Sequence, residues 1–378
     1  MADVVIIGPA YPLRGGLATY NERLAQAFQE EGDTVELITF SLQYPALLFP
    51  GQTQYATEAP PPGLNIKVLI NSINPFSWYQ TGRYLKKRKP DFIIFRFWLP
   101  FMGPAFGTIA RLAAQNKHTR IIALTDNVIP HEKRIGDAPL TNYFLKACHG
   151  FITMSQAVLQ DLGRLQPHKP NTYHPHPLYD NFGQPEPKTV AQQALKLDPA
   201  FHYILFFGFI RAYKGLDLLL QAFADDRLLP LPVKLIIAGE FYESPQPYED
   251  LIKKLNLEGR IIRAMDFIPN SQVVHYFCAA DLVVQPYKHA TQSGVSQIAY
   301  HFNKPMLVTD VGGLAELIPE GKAGYVTPAQ PQAIANALID FFTQLREATF
   351  VANMPELKKR FSWKSMVAAM KNLVQTLR

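Results

Sequence analysis

A repeated alternation constrains this chain more than any other feature: a short apolar run, a turn, a stretch with helical spacing, and another short apolar run. Val4–Gly8 precedes helical spacing over Leu17–Glu31, with Leu17, Leu24, Ala27 and Phe28 apolar, and Thr34–Phe40 follows. Asp91–Trp98, a helical Gly103–Gln115, Arg120–Leu124 and Gly150–Met154 continue the order. Strands joined through helices need crossover connections, so they pair in parallel beneath helical layers. The pattern lapses over Pro175–Pro187, where repeated prolines remove backbone donors and fix φ. It then resumes with strands at His202–Phe207, Val233–Ala238, Arg260–Ala264, Asp281–Gln285 and Pro305–Thr309. Helices Leu216–Ala224, Tyr248–Leu255, Ser271–Ala279 and Gly294–His301 lie between them. The reading is two similar α/β halves joined by a proline-rich linker. A last amphipathic helix, Trp363–Leu377, carries Met366, Met370 and Leu373 on one face. A length of 378 residues agrees, because single cores rarely grow beyond roughly 250–300 residues.

Composition narrows the function classes. The formal net charge is +6, without a long Lys/Arg tract. That balance fits an anionic substrate, an acidic membrane surface or a margin of solubility. No zinc, RNA-reading or helix-turn-helix signature accompanies it, so a nucleic-acid partner is not expected. Cys148 and Cys278 stand far apart and form neither a metal pair nor a disulfide framework. The start MADVVIIGPAYP lacks a basic lead, and no apolar run is long enough to span a bilayer. The expected location is cytoplasmic.

Four loops at strand ends carry candidate chemistry. Gly15 and Gly16 open a helix after the first strand, where free N–H groups and the positive helix end admit an anion. The spacing is not that of the dinucleotide fingerprint, and an ordinary turn reads equally well. The run Phe206–Gly215 ends a strand at Gly208 and places Arg211 and Lys214 just before a helix. A planar fork and a point charge there can clamp a diphosphate and neutralise a leaving phosphate. Thr291–Gln297 offers small residues and backbone amides at a helix start, as a phosphate cradle or as a plain serine cap. Asp126 and His131 follow a strand, where they can contact sugar hydroxyls or move protons; a surface pair is the commoner use of such residues. His174 and His176 sit beside prolines without further ligands, so no metal is expected.

Together these loops resemble the GT-B glycosyltransferases, and within them the retaining family-four group, over nearly the whole chain. Gly15-Gly16 looks like that family's N-terminal glycine motif, which implies a donor-binding role for both glycines, and Phe207–Gly215 looks like its Arg/Lys donor motif. Ala280–Pro286 and the run Ala299–Glu316, with its Gly312-Gly313 pair, match the segments around the donor loop. Asn127–Glu132 and His176–Asp180 are closest to bacterial members. The resemblance implies two Rossmann-like α/β/α domains facing across a cleft. An acceptor-binding domain would span 1–178, with 361–378 crossing back onto it, and a donor-binding domain 179–360. It further implies that Gly208, Arg211 and Lys214 meet the donor diphosphate. Ile268 and Pro269 would lie beside the base. Gln292, Ser293, Gly294, Val295 and Ser296 would present amides to phosphate. The implied reaction moves a sugar from a UDP- or GDP-sugar to a glycan or lipid-linked acceptor in cell-surface polysaccharide synthesis, without a cofactor or a metal. The nucleotide sugar is a substrate.

Two departures stand out. The family's paired glutamates fall at Ala290 and Ile298, or one residue on at Thr291 and Ala299, and neither register holds a carboxylate. Gln297 or Glu240 would have to take the ribose contact. Asp126 stands where relatives often carry histidine. A non-catalytic nucleotide-sugar binder and a sugar-nucleotide epimerase therefore stay open beside the transferase. A predicted helix holds Trp78, Tyr79, Tyr84 and Leu85 among Arg83 and Lys86–Lys89. It reads either as a solvated helix end favoured by the dipole or as a peripheral contact with an anionic membrane at its inner face.

Overall fold

The computed structural model describes residues 1–45, 53–129, 134–290 and 293–377. The chain forms two compact units, Met1–Pro177 with Phe361–Arg378, and Leu178–Arg360.

In the first unit seven strands make one parallel sheet: β1 (Asp3–Ile7), β2 (Thr34–Leu42), β3 (Ile66–Asn71), β4 (Phe92–Phe97), β5 (Arg120–Thr125), β6 (Gly150–Thr153) and β7 (Asn171–Tyr173). Their spatial order is β3-β2-β1-β4-β5-β6-β7. The central strands are apolar on both faces because helices cover both. Val4 to Ile7 and Ile93 to Phe95 are fully buried. The sequence pattern does not reveal β3 or β7. The first is an edge strand with exposed Val68 and Leu69, and the second has only three residues.

The Trp363–Thr376 helix belongs to this unit and packs on the Gly16–Glu30 helix. The Trp363 ring lies 4.9 Å from that of Tyr20, Arg23 sits over Trp363, and Lys371 pairs with Asp33 at 2.5 Å. Met366 and Met370 are fully buried. The Pro75–Arg88 helix starts on an Asn74 cap and a first-turn proline, and it ends in three cations that complement its dipole. Its phase corrects the sequence reading. Trp78 donates to the Asn71 carbonyl at 2.7 Å, Tyr84 bonds Glu36, and Leu85 is fully buried. Of the four residues read as an interfacial face, Tyr79 alone is exposed.

The second unit repeats the plan with β8 (His202–Phe207), β9 (Val233–Ala238), β10 (Ile261–Ala264), β11 (Leu282–Gln285), β12 (Met306–Thr309) and β13 (Gly324–Thr327). The order is β10-β9-β8-β11-β12-β13, all parallel. In each sheet the winding reverses once, between β1 and β4 and between β8 and β11. Crevices for ligands open at the carboxyl ends of strands at such switch points. Beneath β11, Asp281 is fully buried. It accepts from the Tyr203 amide at 2.7 Å, pairs with Lys188, and meets His202 at 3.0 Å. This ties the start of β11 to β8 and to the Lys188–Ala194 helix.

Past β8 and β9 the two loops remain joined. Gly208 donates to the Ala238 carbonyl, Ile210 to that of Glu240, and Tyr242 back to that of Ile210. Gly239, at φ +141°, makes this contact possible, because a Cβ there would lie 2.2 Å from the Gly208 carbonyl oxygen. Gly239→Ala should therefore cost roughly 2–5 kcal/mol in urea unfolding, from backbone strain plus overpacking. Gly259→Ala is the control: a Cβ at Gly259 meets nothing within 4 Å, and its unfolding midpoint should stay near that of the parent chain.

Candidate functional site

The second unit gathers its candidate residues at the β8–β11 switch point. Gly208 follows β8 at φ +97°, and Arg211 begins the short turn Ala212–Lys214. Gly215 ends that turn at φ +68°, with its α-carbon so close to the strand β11 exit that a Cβ would fall 1.9 Å from the Pro286 carbonyl oxygen. The Lys288 amide donates to the Tyr213 carbonyl at 2.7 Å and fastens the same two loops. Lys214 is thereby turned inward. It is 8% exposed, and its ammonium sits 5.6 Å from the Tyr287 ring centre and 3.1 Å from where a Gly208 Cβ would lie. The same Gly208 Cβ would be 3.7 Å from Val295, so three segments converge there.

The electrostatics are unusual for a lysine. Burial first, and then repulsion from Arg211, lower its pKa to about 7, and among the described residues no carboxylate acts to raise it. Arg211 is exposed, with its guanidinium 5.0 Å from the Tyr242 ring centre. Tyr242 in turn packs against Phe209 at 4.3 Å, and Phe209 stacks on Phe267 at 6.2 Å. Ile268 and Pro269 follow at the end of the β10 loop.

Ser293 caps the Gly294–His301 helix by accepting from the Val295 amide, and its hydroxyl also meets that of Tyr287 at 3.3 Å. The cap thus engages the Val295 amide, one of the amides in the phosphate-cradle reading. Gly294 is held against Tyr179, where a Cβ would fall 2.6 Å from the ring. Ser296 exchanges hydrogen bonds with the Gln285 carboxamide at 3.0 and 3.1 Å, so its side chain supports the loop. Gln297 is fully buried, and neither carboxamide atom has a hydrogen-bond partner among the described residues. Glu240 is buried at the end of β9. Gln292 lies outside the described residues, as does His131.

In the first unit, Gly15 takes φ +102° and begins the Gly16–Glu30 helix, and its carbonyl accepts from Thr19. The preceding loop is pinned by Arg14 to Gln54 and Thr53, and by the Tyr11 amide to Glu22 at 2.7 Å. Glu22 escaped the sequence reading. Burial raises its pKa to about 7 against the pull of the Tyr11 amide, and nothing in the local helical pattern marks it.

Asp126 proves to be half of a buried ion pair. Both its oxygens accept from Arg96 of β4, each at 2.6 Å, while the Asp126 amide extends the sheet by donating to Phe97. Arg96 is 2% exposed and stacks 3.9 Å from the Tyr20 ring centre. The His176 ring meets Tyr20 edge-on at 4.9 Å, and its Nδ1 contacts the Pro177 carbonyl. Burial, then Arg96, lower the His176 pKa to about 3, so the ring is neutral near pH 7. His174 Nε2 is engaged by Ser365 at 2.8 Å. Among the described residues no group of three His, Cys, Asp or Glu side chains could hold a metal ion.

Breaking a buried ion pair strands a charge, whereas removing both partners removes the desolvation penalty as well. Asp126→Ala should therefore cost about 3–5 kcal/mol in urea unfolding. The double variant Arg96→Met with Asp126→Leu should lose clearly less than Asp126→Ala, and equal losses would show that the pair itself is not what Asp126 contributes.

Comparison with known proteins follows this division. Residues 14–175 match the family Glycosyltransferase Family 4, and residues 201–344 match Glycosyl transferases group 1. A D-inositol 3-phosphate glycosyltransferase of Corynebacterium urealyticum is 29% identical over 195 residues, 50% of this chain and 46% of that protein. The chain thus matches about half the length of that relative. D-inositol 3-phosphate glycosyltransferase 2 of Catenulispora acidiphila is 25% identical over 94% of this chain and 88% of its own. Among solved structures, Anabaena Alr3699/HepE in complex with UDP and glucose superposes with a TM-score of 0.73 at 16% identity, covering 98% of this chain and 100% of that one. That likeness establishes the GT-B fold.

Proposed function

The chain belongs to the family-four, group 1 glycosyltransferases, and from that premise we propose that it moves a sugar from a nucleotide-sugar donor to a glycan or lipid-linked acceptor. The observation that carries this reading is Lys214: a buried ammonium beside Arg211 at a switch point, with no carboxylate among the described residues lowering the cost of its charge. A donor diphosphate supplies the missing negative charge. Lys214 and Arg211 then stabilise it as it leaves, in the role a metal ion plays elsewhere, so transfer proceeds in the presence of a chelator. Gly208 leaves room for phosphate above Lys214, and the Ser293–Ser296 amides add donors at a helix start. Phe267, Ile268 and Pro269 border the base. The second unit holds the donor and the first unit the acceptor. The acceptor hydroxyl attacks on the face the diphosphate leaves, with retention of configuration at the sugar. The work is that of a hexosyltransferase of the bacterial cytoplasm serving cell-surface polysaccharide.

The donor class is read by thermal unfolding against UDP-, GDP-, ADP- and TDP-sugars. A ligand at about 100 times its Kd adds roughly 2.7 kcal/mol. One nucleotide should shift the transition, and Lys214→Ala should abolish the shift and cut turnover by orders of magnitude with the fold intact. A shift without transfer to any acceptor would replace the transferase with a non-catalytic binder. Donor isomerised without acceptor would replace it with an epimerase.

Proton linkage gives a second test. In the empty site Lys214 is increasingly neutral above pH 7, and a bound diphosphate favours its charged form. Donor binding should therefore take up protons above pH 7, and affinity should fall as pH rises through that value. Calorimetry in two buffers of different ionisation enthalpy measures the uptake, which Lys214→Ala should remove.

A further inference from the structure

Burial fixes Lys214, but Arg211 is exposed and needs another means of placement. Among the described residues its guanidinium forms no ion pair; it lies over the Tyr242 ring, 5.0 Å from the ring centre. A free arginine on an exposed loop samples many rotamers, and fixing it on a ligand costs entropy. A ring face that holds the cation beforehand lowers that cost. Tyr242 is itself braced. Its ring packs against Phe209 at 4.3 Å with the planes 33° apart, and Phe209 stacks on Phe267 at 6.2 Å and 29°. All three rings are half-buried, and they come from the three loops after β8, β9 and β10. Backbone bonds lock the loops together. The Ile210 amide donates to the Glu240 carbonyl at 2.9 Å, the Tyr242 amide to Ile210 at 3.0 Å, and the Gly239 amide to Ala264 at 2.8 Å. The Tyr242 ring is therefore held from its backbone and from its neighbouring ring, and the flexible partner of the contact is Arg211.

We propose that Tyr242 is a positioning residue of the transfer reaction: it holds Arg211 ready for the donor diphosphate, while Phe209 and Phe267 brace its ring from the side of the base. A carboxylate in its place would also orient the arginine, but it would occupy the N–H fork and cancel the charge that a diphosphate needs. The ring face attracts the cation through its quadrupole and leaves both to the ligand. Phe267 directly precedes Ile268 and Pro269, so the row runs from the residues assigned to the base to the cation assigned to the diphosphate. The inference rests on the donor reading, because it concerns how one of that site's cations is placed.

The test is a double-mutant cycle on the full chain, read by calorimetric titration with UDP, GDP, ADP and TDP and followed with whichever binds the parent chain. Tyr242→Leu should weaken that nucleoside diphosphate about three- to thirtyfold, the range of a cation–π contact. Tyr242→Phe keeps the ring face and should stay within about twofold of the parent. In an Arg211→Ala background Tyr242→Leu should cost little more, a coupling that a merely structural residue does not give. Phe209→Leu should cause a smaller loss that vanishes in the same background. Urea unfolding midpoints show that the variants fold, and Tyr242→Met replaces Tyr242→Leu where that variant does not. Equal losses with and without Arg211 would overturn the proposal, because Tyr242 would then act on the ligand or on the fold. Unchanged binding of Tyr242→Leu, or a Tyr242→Phe loss as large as that of Tyr242→Leu, would overturn it too. A parent chain that binds a nucleoside diphosphate and loses it in Lys214→Ala keeps the donor reading whatever the cycle shows. A parent chain that binds none overturns both.

Discussion

Holding the Lys214 ammonium in a nearly closed pocket, with no counter-ion among the described residues, is the constraint around which the second unit is arranged. Desolvation alone favours losing the proton, and Arg211 pushes the same way. Nothing local relieves this, so the surrounding loops must hold Lys214 in place by other means. Gly215 lets its turn touch the Pro286 carbonyl, Gly239 lets the β9 loop touch that of β8, and Tyr287 supplies a ring face beneath the charge. Each of these contacts is made by backbone or by an uncharged side chain. A carboxylate placed here would offset the cost of the buried charge and, in the transfer reading, would compete with an arriving diphosphate.

The first unit treats a buried cation in the opposite way. Arg96 is as enclosed as Lys214, but Asp126 meets it through two short parallel bonds, Tyr20 covers its face, and His176 stays neutral beside it. The charge is spent inside the protein. Asp126 thereby anchors the end of β5, and its carboxylate is occupied by the guanidinium. The contrast separates two kinds of buried charge by their partners: one closes a structural network, and the other, in the transfer reading, would leave its interaction for the donor.

What the sequence reveals follows from the range of the forces involved. Strands β1, β4, β8 and β11 are continuous apolar runs because helices cover both their faces, so local composition reports them. Strand β13 is four residues with a half-exposed middle, and strand β3 sits at an edge; neither carries the apolar signature. Arg211 and Lys214 are legible because they lie three residues apart on one loop. Arg96 is hidden inside the run Phe92–Trp98, and its meaning comes from Asp126, thirty residues away. Gln285 is likewise unremarkable until Ser296 is placed opposite it. The phase of the Pro75–Arg88 helix was not legible at all. Trp78 and Phe76 look alike in sequence, and the Asn71 carbonyl decides which one turns inward.

The absent glutamates acquire a physical sense from the same electrostatics. The positions that the resemblance pairs with carboxylates are Ala290 and Ile298, or one residue on Thr291 and Ala299; Ile298 and Ala299 are buried. The adjacent Gln297 is neutral. A carboxylate facing Lys214 and Arg211 would weaken their field at a bound diphosphate and would raise the Lys214 pKa. Without one, in the transfer reading, the cations would act on phosphate at full strength, and the cost of their burial shows as a depressed lysine pKa. Gln297 keeps hydrogen-bonding capacity while adding no charge. An unpaired buried amide costs about 1–3 kcal/mol, which a hydroxyl-bearing ligand group would recover on binding. In the transfer reading, recognition of the neutral part of the donor thus falls to dipoles, and recognition of the diphosphate falls to charge.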